Sequence, residues 1–94
     1  MMPEDNFEYW YKQGIGFSDL EKYDEALTCF EKAIELSSNN NDLSAAWTET
    51  GFAKEALKDF DSAIFCQTKA IEFNPKNADA WYMKGVSFGK QKKY

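Results

Sequence analysis

Apolar side chains return every three or four residues through most of this chain. Phe7, Trp10, Tyr11, Gly14 and Phe17 form one series, and Tyr23, Ala26, Leu27, Phe30, Ala33 and Ile34 form the next. That spacing lays the apolar positions along one side of a 3.6-residue helix and leaves polar residues on the other. The rhythm continues downstream and predicts five helices, over about residues 4–20, 23–37, 43–57, 60–73 and 78–92. The breaks agree with it. SSNNND interrupts the pattern between the second and third helices, with Asp42 placed to cap the third. Asn74-Pro75 ends the fourth, because proline has no N–H to donate and disfavours α geometry in the residue before it. Asn77 then stands where a cap for the fifth helix is needed.

A longer period lies over the helical one. Trp10, Trp47 and Trp81 are 37 and 34 residues apart, and a glycine follows each by four: Gly14, Gly51 and Gly85. Ala26 and Ala33 recur as Ala63 and Ala70, so that YDEALTCFEKAIEL aligns without a gap on FDSAIFCQTKAIEF. Glycine inside a helix costs about 0.5–1 kcal/mol relative to alanine, so three at one repeat position need a reason. Helices pack 8–10 Å apart according to the bulk at the contact. Glycine on the first helix of a pair, expected to face alanine on the second, lets the two backbones approach, with Trp, Phe and Tyr filling the space beside the crossing. Antiparallel pairs of this kind stack into a solenoid.

Trp, Gly four residues on, an aromatic three further, then Tyr-Asp-Glu-Ala, Phe, Ala and Asn-Pro resembles the 34-residue tetratricopeptide repeat. The resemblance implies an all-α fold, a right-handed α-solenoid of antiparallel helix pairs within one domain over residues 1–94. It divides that domain into a full repeat at about 7–40, a second at about 44–77, and the first helix of a third at 78–94. There are departures from the pattern. Three extra residues enter near Asn39, Asn40 and Asn41, and Ser38 stands in place of the usual proline, which predicts a looser or re-angled junction. Lys54 replaces the aromatic found at Phe17 and Phe88, and Gln67 replaces the one at Phe30, so the middle repeat is expected to be less tightly packed. The phrase WYMKGVSFGKQKKY copies residues 10–23 and then stops, so the sequence reads as an array cut short. Trp81 and Gly85 are placed to pack, Tyr94 takes the slot of Tyr23, and Lys90, Lys92 and Lys93 keep the last turn soluble. The face around Phe88 is expected to be the most exposed apolar surface.

Composition narrows the chemistry. All eleven basic residues among the 94 are lysine, and there is no histidine. The usual general base and the usual bidentate phosphate clamp are therefore both missing. Cys29 and Cys66 occupy equivalent slots of neighbouring repeats, have no histidine to activate them, and read as buried thiols rather than a disulfide, a nucleophile or a metal site. Asp24-Glu25, Asp59 and Asp61 fall at helix starts, where they favour the helix dipole by about 0.3–1 kcal/mol each. The expectation is a protein that is not an enzyme and has no cofactor or metal. A net charge of −5 argues against a nucleic-acid partner, and no apolar run approaches the roughly 20 residues that span a bilayer. The start MMPEDNFEYW lacks the basic and apolar regions of a signal peptide, which makes the cytoplasm the expected compartment.

What remains is a surface for protein contact. The resemblance implies a concave groove lined by the first helices of the pairs and suited to an extended or helical peptide. The matching positions are Tyr11, Lys12 and Ile15, with Glu8, Ser18 and Asp19 beside them; Thr48, Glu49 and Phe52, with Ala45 and Glu55; and Tyr82, Met83 and Val86, with Asp79 and Lys90. Tyr11, Ile15, Phe52, Tyr82, Met83 and Val86 form an apolar stripe, in which Phe52 and Tyr82 are the expected anchors. Some relatives grip a chaperone's terminal carboxylate with lysine and asparagine, but the corresponding positions here are Tyr11, Ile15, Glu49, Asp79 and Met83. Two acids would repel that ligand. The expected partner is a protein or peptide segment that is apolar or basic, with Glu8, Glu49, Glu55 and Asp79 at the rim. The competing reading is a structural segment of a longer solenoid, its groove filled in cis, or a chain that forms a homodimer through its exposed C-terminal helix.

Overall fold

Short polar side chains decide where every helix but the second begins. The computed structural model describes residue 2 and residues 5–92, and Lys93 and Tyr94, for which the sequence raised expectations, lie outside the described residues. Helix α1 spans Phe7–Asp19 because Asn6 caps it, its side-chain oxygen accepting from the Tyr9 N–H at 2.8 Å; the start is three residues later than the periodicity suggests. Helix α2 spans Tyr23–Leu36. Helix α3 spans Asn40–Ala56, and its cap is Asn39 rather than Asp42: the Asn39 side chain accepts from the Asn41 and Asp42 N–H groups at 2.8 and 3.1 Å. Asp59 caps α4, Phe60–Phe73, and Asn77 caps α5, Ala78–Gln91. The five helices make an all-α solenoid of stacked pairs.

The three extra residues of the first repeat junction enter the helix rather than the loop. They are absorbed as almost one more helical turn, which makes α3 17 residues long against 13 for α1 and 14 for α5. Each hairpin turn instead repeats one backbone device. Glu21 and Lys58, equivalent residues, both sit in the left-handed region, at φ 60° and 67°. Lys22 N–H then reaches back to the Phe17 carbonyl at 2.8 Å, and Asp59 N–H to that of Lys54 at 2.9 Å. This 6→1 closure satisfies helix-end carbonyls that would otherwise be orphaned.

Helices α1 and α2 pack as one pair, α3 and α4 as the next, and α5 lies on α4. Along one side of the stack α3 also touches both α1 and α5, so the first helices share a face. Within the pairs the repeat glycines face a different slot from the expected alanine. A Cβ on Gly14 would stand 2.5 Å from the Phe30 ring, and one on Gly51 would run into the Gln67 amide. Glycine is thus required where the long side chain at position 30 or 67 crosses beneath the first helix. Gln67 fills in the middle repeat the place under the glycine that Phe30 fills in the first. Gln67 is fully buried, donates from Nε2 to the Thr48 carbonyl at 3.2 Å, and leaves Oε1 without a hydrogen-bond partner. The alanines at 26, 33, 63 and 70 are fully buried between the helices. Cys29 and Cys66 are buried and free, and burial raises both thiols, Cys66 to about 11, which leaves them un-ionised and unreactive.

Helix α5 packs on α4 and touches α3, but among the described residues no helix covers its outer side. A Cβ on Gly85 would meet nothing within 4 Å, and Trp81 remains 53% exposed, its indole N–H donating to the Pro75 carbonyl. Phe88 is 43% exposed but is not the extreme: Tyr82, on the inner face, is 71% exposed.

Candidate partner-binding face

The inner face of α1, α3 and α5 resolves into two recesses rather than one stripe. The first, about 620 Å³, lies at α1 and is lined by Phe7, Glu8, Tyr11, Lys12 and Ile15 together with Asp42. Tyr11 is half-buried there, stacked on Phe7 at 5.2 Å between ring centres and leaning on Phe30 at 6.1 Å. It belongs to the core as much as to the surface. Lys12 pairs with Glu8 at 3.8 Å across one helical turn, both exposed, an interaction of at most a few tenths of a kcal/mol. The second recess, about 380 Å³, lies between α3 and α5 and brings together Thr48, Glu49, Phe52, Asp79, Tyr82 and Met83. Val86 lines neither recess.

Several positions differ from their expected roles. Glu55 is not at a rim: it is 8% exposed and holds an ion pair with the Lys90 ammonium, which ties α3 to α5. Ser18 is buried. Thr48 is nearly buried too, donating to the Ser44 carbonyl at 2.8 Å and accepting from the Asn77 side chain at 2.8 Å. Its part in the second recess is structural. Phe52 keeps 40% of its surface exposed while its ring edge meets Tyr23 of α2 at 6.4 Å, so the ring is held in place by the first repeat.

Electrostatics distinguish the second recess. Burial pushes the Glu49 carboxyl above the usual carboxylate range, and the charges of Asp79 and Asp19 push it further. Burial also raises the Tyr11 hydroxyl, with Glu49 and Asp42 adding to it. Negative charge therefore accumulates on the inner face beside aromatic rings. This has a consequence for stability. Glu49 binds its proton more tightly in the fold than in the unfolded chain, so between the two pKa values the native state holds more protons. Stability then falls as pH rises through that window. Glu49→Gln is expected to be more stable than the wild type near neutral pH in urea titrations. The gap should close as pH falls through that window towards about 4, where the unfolded carboxyl is protonated as well. An advantage independent of pH would contradict the assignment.

A third depression, about 580 Å³, lies away from the inner face, between α2 and α4 over α3. Its apolar part is Ile34, Trp47 and Phe65, the two rings meeting edge-on at 6.1 Å, and Glu31, Glu35 and Asp61 stand around it. Sequence reasoning passed it over. The signal was Phe65, a large apolar residue in the slot that holds Thr28 in the first repeat.

The paired helices, the glycine crossings and the shared inner face are those of a repeat array, and sequence models described as tetratricopeptide repeat match residues 7–40, 44–77 and 66–94. The chain belongs to the tetratricopeptide repeat family. Tetratricopeptide repeats generally mediate protein–protein interactions and generally act as non-catalytic scaffolds. No curated protein matches the chain. Among the described residues no helix is long and apolar enough to cross a membrane, and no three or more His, Cys, Asp or Glu gather as a metal site.

Proposed function

We propose that the inner face of this tetratricopeptide array captures a segment of a partner protein, extended or helical, whose apolar side chains are interspersed with lysine or arginine. The observation that carries this reading is the recess between α3 and α5. Two exposed aromatic rings, Phe52 and Tyr82, stand beside Glu49 and Asp79, and Glu49 is already disfavoured as an anion. A cation brought there relieves the crowding of negative charge, and its aliphatic stem covers the rings. A chain-terminal carboxylate would meet the same acids and be repelled, so a chaperone tail is not the expected ligand. Phe52 and Tyr82 are the anchors because they are bulky and central, and aromatic residues dominate hot spots.

Panning a random peptide display library against the wild-type chain tests this directly. Selected peptides should be rich in aromatic or aliphatic residues next to Lys or Arg. Phe52→Ala and Tyr82→Ala should each weaken the best peptide about tenfold or more, equivalent to about 1.4 kcal/mol. Selection of acidic peptides, or affinity indifferent to both substitutions, would reject the reading. The alternative, a structural segment that stacks on more of its own kind, draws on a different surface: the unpaired side of α5.

A further inference from the structure

Two surfaces outside the inner face are complementary to one another. The first is the stripe of α5 that carries Trp81, Lys84, Gly85, Phe88 and Lys92. At 100° per residue these positions fall within about one third of the helix circumference. Trp81 and Phe88 are exposed, Gly85 has open space above it, and the Lys84 ammonium lies 5.8 Å from the centre of the Trp81 ring. The stripe is therefore apolar, with Lys84 along one side and Lys92, the residue that caps α5, at its C-terminal end. The second surface is the depression between α2 and α4, where Ile34, Trp47 and the 56%-exposed Phe65 are surrounded by Glu31, Glu35 and Asp61. Lys54 also lines it, which leaves an excess of two negative charges among its lining residues, and Asp61 accepts a hydrogen bond from Gln91 of the same chain. It is apolar at its floor and acidic at its rim.

We propose that copies of this chain associate head to tail, the outer stripe of α5 in one copy lying in the α2–α4 groove of the next. Trp81 and Phe88 are the apolar insertions, the glycine at 85 lets the helix approach closely, and Lys84 and Lys92 meet Glu31 and Glu35. The two patches are different surfaces, so the contact is heterologous. Each added copy leaves one stripe and one groove free, and the product is an open series of oligomers rather than a closed dimer.

Sedimentation velocity over a range of concentrations, at about 50 mM and again at about 500 mM salt, reads the association, because screening weakens exposed charge pairs. The wild type should show mass increasing with concentration, and less of it at high salt. Two charge-reversed chains then decide the geometry. Lys84→Glu with Lys92→Glu alters the stripe alone, and Glu31→Lys with Glu35→Lys alters the groove alone. Each should be monomeric by itself, since its own two surfaces now repel. An equimolar mixture should associate, since both heterologous contacts are again of opposite charge. Circular dichroism confirms that the helices survive in both variants. A wild type that stays monomeric throughout overturns the proposal. So does a groove variant that associates as the wild type does, which would mean that α5 pairs with α5, and so does a mixture that remains monomeric.

Discussion

Phe30→Ala is expected to cost about 3–5 kcal/mol, the largest loss from any single truncation in this protein. Phe30 is the largest of the fully buried side chains, and its ring passes directly under Gly14. Stabilities of domains this size are about 5–15 kcal/mol in total, so the variant should lie at the edge of unfolding in urea titrations. The companion substitution makes the mechanism visible. A Cβ at position 14 would stand 2.5 Å from a ring that is packed on all sides and has nowhere to go. Gly14→Ala should therefore destabilise the wild type by about 1–3 kcal/mol, although alanine favours the helix by about 0.5–1 kcal/mol. With Phe30→Ala present the obstruction is gone, the added methyl fills part of the cavity, and the same substitution should stabilise. A change of sign between backgrounds is the signature of direct contact. Gly85→Ala is the control, because its Cβ would meet nothing and only the helix preference remains. If Gly14→Ala and Gly85→Ala behaved alike, the close crossing would not be the reason for the glycine.

That crossing also marks the limit of what periodicity can reveal. The repeat of Trp, Gly and Ala is legible because it depends only on local helical geometry, and it was enough to place all five helices in order. Which residue of the second helix lies under the glycine depends on how far one helix slides along the other, and nothing local to either helix records this. The start of α3 differs from the expected cap at Asp42 for another reason. Asn39, Asn40, Asn41 and Asp42 are all good caps, and choosing among them requires knowing whether the insertion lengthens the loop or the helix. On the inner face, Phe52 and Tyr82 could be read from their slots, because no helix-pair contact needed them. Glu55 could not. Its burial follows from Lys90 reaching across from α5, a contact 35 residues away in sequence. The groove between α2 and α4 needs both second helices and Trp47 of the helix between them, so no single segment announces it.

Asn77→Ala should produce the most localised large effect. One amide does three tasks there. Its Oδ1 accepts from the Ala80 N–H at 3.1 Å and so caps α5, while Nδ2 donates to Ser44 Oγ and to Thr48 Oγ1, each at 2.8 Å. Both hydroxyls use their own protons on carbonyls, Ser44 on that of Ala70 at 2.7 Å and Thr48 on that of Ser44. They can therefore meet Asn77 only as acceptors, and this side chain ties the start of α5 to the middle of α3 and, through Ser44, to the end of α4. Loss of a cap costs about 1 kcal/mol and each neutral hydrogen bond about the same, so α5 should lose about 3 kcal/mol of protection. Asn77→Ser keeps a capping oxygen but not the bridge, and should lose about 2 kcal/mol. Amide hydrogen exchange is the appropriate readout, because the loss should be confined to α5 and leave α1 and α2 unchanged. Peptide binding at the inner face should weaken as well, since Asp79, Tyr82 and Met83 reach the recess from the loosened helix while Phe52 stays in place. Protection lost equally from all five helices would show that α5 does not open by itself, and that the last helix is held by its packing on α4 rather than by the Asn77 bridge.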